Sequence, residues 1–193
     1  MKLNKIVSLC KREKRIVLFD EHNGEGEVSG QWIGDGTACY QVGGLPILEP
    51  STVGTLFDVP AKDEDKWDIR EEDLPPSVDF TDTPDGERML EDYSVSLNYH
   101  GLTLKPLRAE GCDPVFVDVK YLAPFLDSLE SVFLFRRETR GGMVYVAVKV
   151  GFVLKAIVPP CRVESEAFIE SLSRLARDVR QAFFEEEDRD GDE

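Results

Sequence analysis

The negative charge of this chain is concentrated in two segments. The 193 residues carry a net charge of −15, of which residues 58–92 hold −10 and residues 164–193 hold −7. The remainder is nearly neutral at +2 and supplies the predicted core. Length and composition predict a single domain over residues 1–187, with an acidic excursion at 58–92 and an acidic tail at 188–193.

Composition argues against several classes of protein. The longest apolar stretch, residues 150–160, contains Lys155 and is too short to span a membrane. The first residues carry a lysine or arginine every few positions and no apolar core, so we expect no secretory signal and a cytoplasmic protein. The cysteines are isolated in sequence, so we expect Cys10, Cys39 and Cys161 to be small core residues that form neither disulfides nor a metal site.

Apolar periodicity predicts the α+β class, with an antiparallel sheet and helices on one side of it. Prolines and acids in the excursion predict a loop with one helical turn, held to the surface by spaced apolar residues such as Trp67. Helices are expected near residues 2–12, 119–130 and 164–186, and strands near 15–19, 31–42, 93–107, 115–118, 132–135, 143–150 and 152–158.

The terminal helix, residues 164–187, has the most regular pattern. Its apolar residues recur at i, i+3, i+4 and i+7, which is typical of an amphipathic helix that packs through one stripe. We therefore expect Leu172 and Leu175 to be buried.

The same order of elements recurs in residues 2–48 and 118–163. Each stretch runs through a helix, a strand, a polar connection with glycine, and two strands that end at a proline. This order predicts a pseudo-twofold duplication of a helix–strand–strand–strand unit. The other interpretation is a match by chance between two α+β stretches, because no run of identical residues joins them.

The second stretch resembles a known family. The run VDVKYLAPFLDSLESVFLFRRETRGGMVYVAVKVGFVLKAIVPPCRV, and residues 115–163 in general, resemble the closing unit of a DNA polymerase sliding clamp. The resemblance implies a domain of two such units and a ring whose helices face DNA. Helices of that kind are basic, because phosphate contacts supply most of the non-specific affinity. The first helix carries lysines and arginine, whereas the second offers only Lys120 among acids.

Two groups of residues are candidate contacts. Lys11, Arg12, Lys14 and Arg15 are either a contact for nucleic acid or another anion, or the solvated end of a helix, where cations favour the dipole. Trp67, in the run DEDKWDIREED, is either a side chain that fills the core or an exposed anchor for a partner.

The sequence contains no recognisable catalytic motif, such as G-x-S-x-G, H-E-x-x-H or a phosphate-binding loop ending in G-K-[ST]. We therefore expect a non-enzymatic interaction or scaffolding protein with a clamp-like core and a protein partner. No catalytic residue, metal, cofactor or membrane is predicted. The alternatives are a DNA-associated processivity factor of the sliding-clamp kind and an enzyme without a recognisable motif. The sequence does not predict the oligomeric state.

Overall fold

A computed structural model describes residues 1–126 and 131–184. Contacts divide the chain into two compact units, Met1–Cys161 and a second that begins at Arg162. Each unit is described by itself, and the single domain over residues 1–187 stays a prediction.

The first unit is built on a large, mostly antiparallel sheet. Its elements, in chain order, are α1 Leu3–Glu13, β1 Arg15–His22, β2 Val28–Gly34, β3 Cys39–Val42, α2 Pro50–Leu56, a 3-10 helix Ala61–Lys66, β4 Asp68–Asp73, β5 Arg88–Asp92, β6 Leu97–Tyr99, β7 Leu102–Arg108, β8 Val115–Asp118, α3 Val119–Leu122, β9 Val132–Glu138, β10 Val144–Val150 and β11 Val153–Val158.

The strands follow the order β4-β1-β2-β3-β11-β10-β9-β5-β7-β6 in the sheet, and β8 pairs with β7. Every described pair is antiparallel except β1 with β4.

Local sequence explains where the helices begin and end. Helix α1 buries Ile6, Leu9 and Cys10 and ends at Glu13. The next residue, Lys14, caps it with a left-handed backbone (φ 50°), and its N–H donates to the Cys10 carbonyl. Helix α2 begins at a capping box in which Glu49 and Thr52 exchange hydrogen bonds, followed by a proline in its first turn. Both helices therefore have ends that their own residues stabilise.

The sheet carries an apolar cluster on each face. The larger cluster joins strand residues such as Ile16, Leu18 and Val146 to side chains of α1, α2 and α3. Tyr40 links strand β3 to helix α3, because its hydroxyl donates to the Tyr121 carbonyl at 2.9 Å. On the other face, residues 74–80 cover a smaller cluster around Trp32. The helices of this unit thus lie on one side of the sheet.

The α+β class, the antiparallel sheet with helices on one side and the C-terminal helix are confirmed. The expected helix at 119–130 is shorter, because Pro124 cannot continue the hydrogen-bond ladder; helix α3 ends at Leu122. Residues 127–130 lie outside the described residues, as do 185–193, which include the end of the predicted terminal helix and the acidic tail.

The structure of the excursion at 58–92 differs from the prediction. It was expected to be loop with one helical turn, yet it contains β4 and β5 besides the 3-10 helix. Strand β4 lies at the end of the strand order and exposes Glu71, Glu72 and Asp73, whereas Ile69 packs against the core. A strand at a sheet edge needs few apolar residues. Strand β4 is mostly acidic and lacks the apolar pattern from which a strand is predicted, so the sequence did not indicate it.

The two predicted repeat units form corresponding parts of the sheet. Strands β1, β2 and β3 make one antiparallel meander, β9, β10 and β11 make another, and the two meet through the β3–β11 pair. A helix precedes each meander. Strand order does not establish a common origin, so the duplication stays a prediction.

The second unit contains helix α4, Glu166–Phe184. Ser165 begins the helix: its carbonyl accepts from the N–H groups of Phe168 and Ile169, and its hydroxyl accepts from Phe168 N–H at 3.3 Å. This is the usual role of serine at a helix N-cap.

Candidate functional site

The basic cluster at the end of α1 lies beside carboxylates of the acidic excursion. Lys11 Nζ is 3.7 Å from Asp58 Oδ2. Arg15 Nε donates to Asp68 Oδ2 at 2.8 Å, because the parallel register of β1 and β4 places these two residues opposite each other. Carboxylates of the acidic excursion therefore contact the basic cluster that is the candidate contact for nucleic acid.

The other two cations of the cluster also lie close to acidic groups or at the helix end. Arg12 Nε is 3.7 Å from Glu13 Oε1, and Lys14 is the exposed residue that caps the C-terminal end of α1. Glu13 additionally faces Lys120 Nζ at 3.5 Å. The four candidate residues are brought together, but as part of a surface of mixed charge.

Trp67 is half-buried between the 3-10 helix and β4. Its side chain packs against the larger core cluster together with Ile69. This contact fits the interpretation that Trp67 fills the core, and it attaches the excursion to the sheet. The partner-anchor interpretation stays a prediction that rests on the exposed part of the side chain.

A buried ion network lies where the excursion returns to the sheet. The side chains of Arg137 and Lys149 are 3% and 4% exposed, and both contact the carboxylate of Glu87. Arg137 donates to Glu87 from Nε at 3.0 Å and from Nη2, with 2.8 Å between the charged atoms. A buried charge costs several kcal/mol unless it is paired, so these three residues depend on one another.

The same network holds the cover over the smaller core cluster. Arg137 Nη1 donates to the Asp79 carbonyl at 3.0 Å and the Thr81 carbonyl at 2.9 Å. Asp79 N–H donates to the Tyr145 hydroxyl at 3.1 Å. The Asp82 carboxylate accepts from Leu154 N–H at 2.7 Å. The network is therefore structural, because it pins residues 79–87 to the sheet.

Sequence reasoning did not identify this network, although one signal was present. Lys149 lies in the run VYVAVKV, whose alternation places it on a covered face of the sheet. A lysine there requires an anionic partner. The sequence does not show that this partner is Glu87, which lies 62 positions earlier.

A polar cleft of about 530 Å³ lies beside the network. Arg88 on its wall donates from Nη1 to the Glu110 carbonyl and to Cys112 Sγ, each at 3.1 Å. Arg136 pairs with Glu138, and the Asp79 carboxylate accepts from the Thr81 hydroxyl, which holds the pKa of Asp79 below its usual value. Each of these three side chains therefore already has a partner among the neighbouring residues. Among the residues that the structure describes, no three metal-ligating side chains converge.

Two of the thiols are chemically protected. Burial, and then the nearby charge of Asp35, raises the pKa of Cys10 to about 12. Burial likewise raises the pKa of Cys39 to about 12. Cys10 and Cys39 are core residues as expected, but the expectation that Cys161 is a core residue is wrong, because Cys161, like Cys112, is partly exposed. No disulfide joins any of the four cysteines.

The least expected feature is the apolar stripe of α4. Ile169, Leu175, Val179 and Phe183 are 44%, 59%, 41% and 72% exposed, while Phe168 and Leu172 are partly buried. The expectation that Leu175 is buried is therefore wrong. Apolar periodicity shows that a helix has a face to be covered, but it does not show which chain covers it.

Charge is distributed unevenly along the polar side of α4. Glu166 and Glu170 lie in its first two turns, and Arg174, Arg177, Asp178 and Arg180 follow further along the helix. A stripe of large apolar side chains flanked by charges is the usual pattern of a protein-contact surface. We take this stripe, with its flanking charges, as the candidate site.

Comparison with known proteins found no matching family model, no matching curated protein and no matching solved structure. Within the described part of the chain, no helix is long and apolar enough to cross a membrane.

Proposed function

We propose that this protein is a non-enzymatic interaction protein that binds a protein partner through the apolar stripe of α4. The observation that carries the proposal is the exposure of Ile169, Leu175, Val179 and Phe183 along one helix face. Leaving such side chains in water forgoes about 1.5–3 kcal/mol each, which a partner that covers them recovers.

Other features support parts of this proposal. The absence of disulfides among the four cysteines supports a reducing, cytoplasmic location. The strand order, with two meanders meeting at β3–β11, is compatible with a clamp-like core. The carboxylates on the basic cluster oppose the DNA-associated alternative, which is therefore not our proposal.

The experiment compares two aspartate substitutions in α4. Leu175→Asp places a charge in the stripe, and Ser173→Asp places the same charge on the exposed polar side. In dilute solution both variants should melt within about 1 °C of the parent, because neither position is buried. An apolar dye should bind the parent and Ser173→Asp but should bind Leu175→Asp much less.

A different result would refute the proposal. If Leu175→Asp lowers the melting temperature by more than about 5 °C while Ser173→Asp does not, the stripe is part of the protein's own core.

A further inference from the structure

We propose that residues 75–82 form a strap that lifts from the sheet as a unit while the rest of the first unit stays folded, and so uncovers the apolar surface around Trp32. This inference goes beyond the proposed function, since it concerns a change of conformation in the first unit and involves no residue of α4. It starts from the way in which the strap is attached to the strands beneath it.

The strap is attached to the sheet without a ladder of main-chain bonds. Within the described chain, no hydrogen bond joins the main chain of residues 75–82 to the main chain of a strand. The strap is held by the side chains of Arg137 and Tyr145, and by the Asp82 carboxylate, which accepts from Leu154 N–H. It can therefore leave the sheet without breaking a strand pair.

Few apolar contacts add to these bonds. Val78 and Phe80 pack on the smaller cluster, and both side chains are partly exposed. None of residues 75–82, all of which the structure describes, is fully buried. Segments with few buried apolar contacts open at a lower free energy than the whole chain unfolds. The strands beneath the strap, in contrast, are paired on both sides.

Hydrogen bonds inside the strap let it move as a unit. Asp79 Oδ1 accepts from the Thr81 N–H at 2.8 Å and from the Thr81 hydroxyl at 2.6 Å. Val78 N–H donates to the Pro75 carbonyl at 3.0 Å. Beyond the strap lies Gly86, with a φ of 80°, where a backbone without a side chain can absorb the change of direction.

The buried ion network does not oppose this movement. Glu87 lies outside the strap and is paired with both Arg137 and Lys149. When the strap lifts, Arg137 keeps this carboxylate, and the carbonyl groups released at residues 79, 81 and 82 reach water. Opening would be costly if it left a buried charge without a partner, and here it does not.

The surface beneath the strap contains a group that gains a partner on opening. Trp32 is 1% exposed, and its indole N–H has no acceptor among the described residues. A buried donor without an acceptor carries the full cost of its lost hydration. Water can bind this N–H once the strap lifts, which lowers the free energy that opening requires.

Cysteine labelling measures the opening, because one buried thiol belongs to each apolar cluster. Cys39 belongs to the smaller cluster, on the side of the strap, and Cys10 belongs to the larger one. Burial raises the pKa of both thiols to about 12, so each reacts mainly in molecules that have opened. In incubations of hours with iodoacetamide, Cys39 should be labelled at least about tenfold faster than Cys10.

Urea separates lifting of the strap from unfolding of the chain. The dependence of an opening equilibrium on denaturant grows with the surface that opening exposes. The logarithm of the Cys39 labelling rate should therefore rise with urea at no more than about half the slope of equilibrium unfolding, measured by circular dichroism. A Cys39 slope equal to that of unfolding would overturn the proposal, because Cys39 would then react only in the unfolded chain.

Two conservative variants locate the opening. Ile6→Val, in α1, should raise the unfolding equilibrium constant by roughly 2- to 10-fold and leave the Cys39 labelling rate within about twofold, because α1 stays folded when the strap lifts. Val78→Ala, in the strap, should speed Cys39 labelling by roughly 2- to 10-fold. The proposal is wrong if Ile6→Val speeds Cys39 as much as it favours unfolding, or if Val78→Ala leaves Cys39 unchanged.

Discussion

Arg137 shows how one side chain can hold a segment to the sheet. Its guanidinium group bonds to Glu87 and to main-chain carbonyls of residues 79, 81 and 82. Removing Arg137 leaves Glu87 paired with Lys149, so the cost comes from the lost hydrogen bonds, and a hydrogen bond to a charged group contributes about 1.5–3 kcal/mol. The stability of the cover over Trp32 should therefore depend strongly on this residue.

Arg137→Met is the variant that tests this dependence. It should lower the free energy of unfolding by about 3–5 kcal/mol, measured by denaturant titration, because several carbonyl oxygens lose their charged donor at once. Trp32 emission should also shift to longer wavelength, because the ring lies 4.9 Å from the covering Phe80 ring and is only 1% exposed. A Trp67→Phe background isolates this signal.

The control for that measurement is Arg140→Met, which removes an exposed arginine three residues away. It should change the unfolding free energy by no more than about 0.5 kcal/mol. Equal stability of the two methionine variants would show that the buried network contributes nothing.

The thiols should differ sharply in reactivity. A thiol with a pKa of about 12 is about 0.01% ionised at pH 8, and the thiolate is the reactive form. Cys10 and Cys39 have this pKa and are also buried, so brief treatment with iodoacetamide should leave both unmodified. Cys112 is partly exposed and should be labelled first.

Mass spectrometry of peptides gives the extent of labelling at each cysteine, and chain unfolded in denaturant should react at all four. Labelling of Cys10 or Cys39 in the folded chain as fast as Cys112 would contradict the burial described.

For single residues, the sequence predicted which side chains are buried better than it predicted which side chains contact each other. The burial of Cys10 and Cys39 followed from their apolar neighbours. The carboxylates beside Lys11 and Arg15 did not, because they lie far along the chain: Asp68 lies 53 positions after Arg15 and reaches it through the β1–β4 register. Contacts between distant residues are set by pairing of strands, which local pattern does not specify.

Among the elements, the β2–β3 hairpin depends on one glycine. An added Cβ at Gly34 would lie 2.1 Å from the Ala38 carbonyl oxygen. The turn itself is held by Asp35, whose carboxylate accepts from the N–H groups of Thr37 and Ala38 at 2.9 and 3.0 Å. The strands can approach this closely only because residue 34 has no side chain.

Gly34→Ala should therefore destabilise the protein by about 1–3 kcal/mol or more, since backbone has to shift. Gly24→Ala is the matched control, because an added Cβ there meets no atom within 4 Å and its backbone is not left-handed. Thermal melting of both variants measures the difference. A smaller loss at Gly34 than at Gly24 would show that the hairpin tolerates a wider separation.

Elements whose apolar residues alternate or recur regularly were predicted well. Strand β8 was placed at its observed residues, 115–118, and α1 to within one residue at each end. Strands β4 and β5 were missed, because most of their side chains face solvent and carry charge. Helix α4 was predicted as a helix but not as an exposed one, since amphipathicity looks the same whichever chain covers it.

For the whole molecule, DNA binding should be negligible. The net charge is −15, and the principal basic cluster is in contact with Asp58 and Asp68. A titration with duplex DNA at about 50 mM salt, where phosphate contacts are strongest, should show no saturable binding. Saturable binding that weakens steeply with salt, and is lost on changing Lys11, Arg12, Lys14 and Arg15 to glutamate, would instead favour the clamp-like alternative.

The acidity of β4 also bears on whether copies of this protein aggregate. A strand at the end of a sheet offers unpaired main-chain groups to any other extended chain, which is how sheets grow into aggregates. Here Glu71, Glu72 and Asp73 stand along that edge. A second copy that approached edge to edge would bring like charges together. The acidic residues that made β4 hard to predict from the sequence therefore also oppose the pairing of sheet edges between copies.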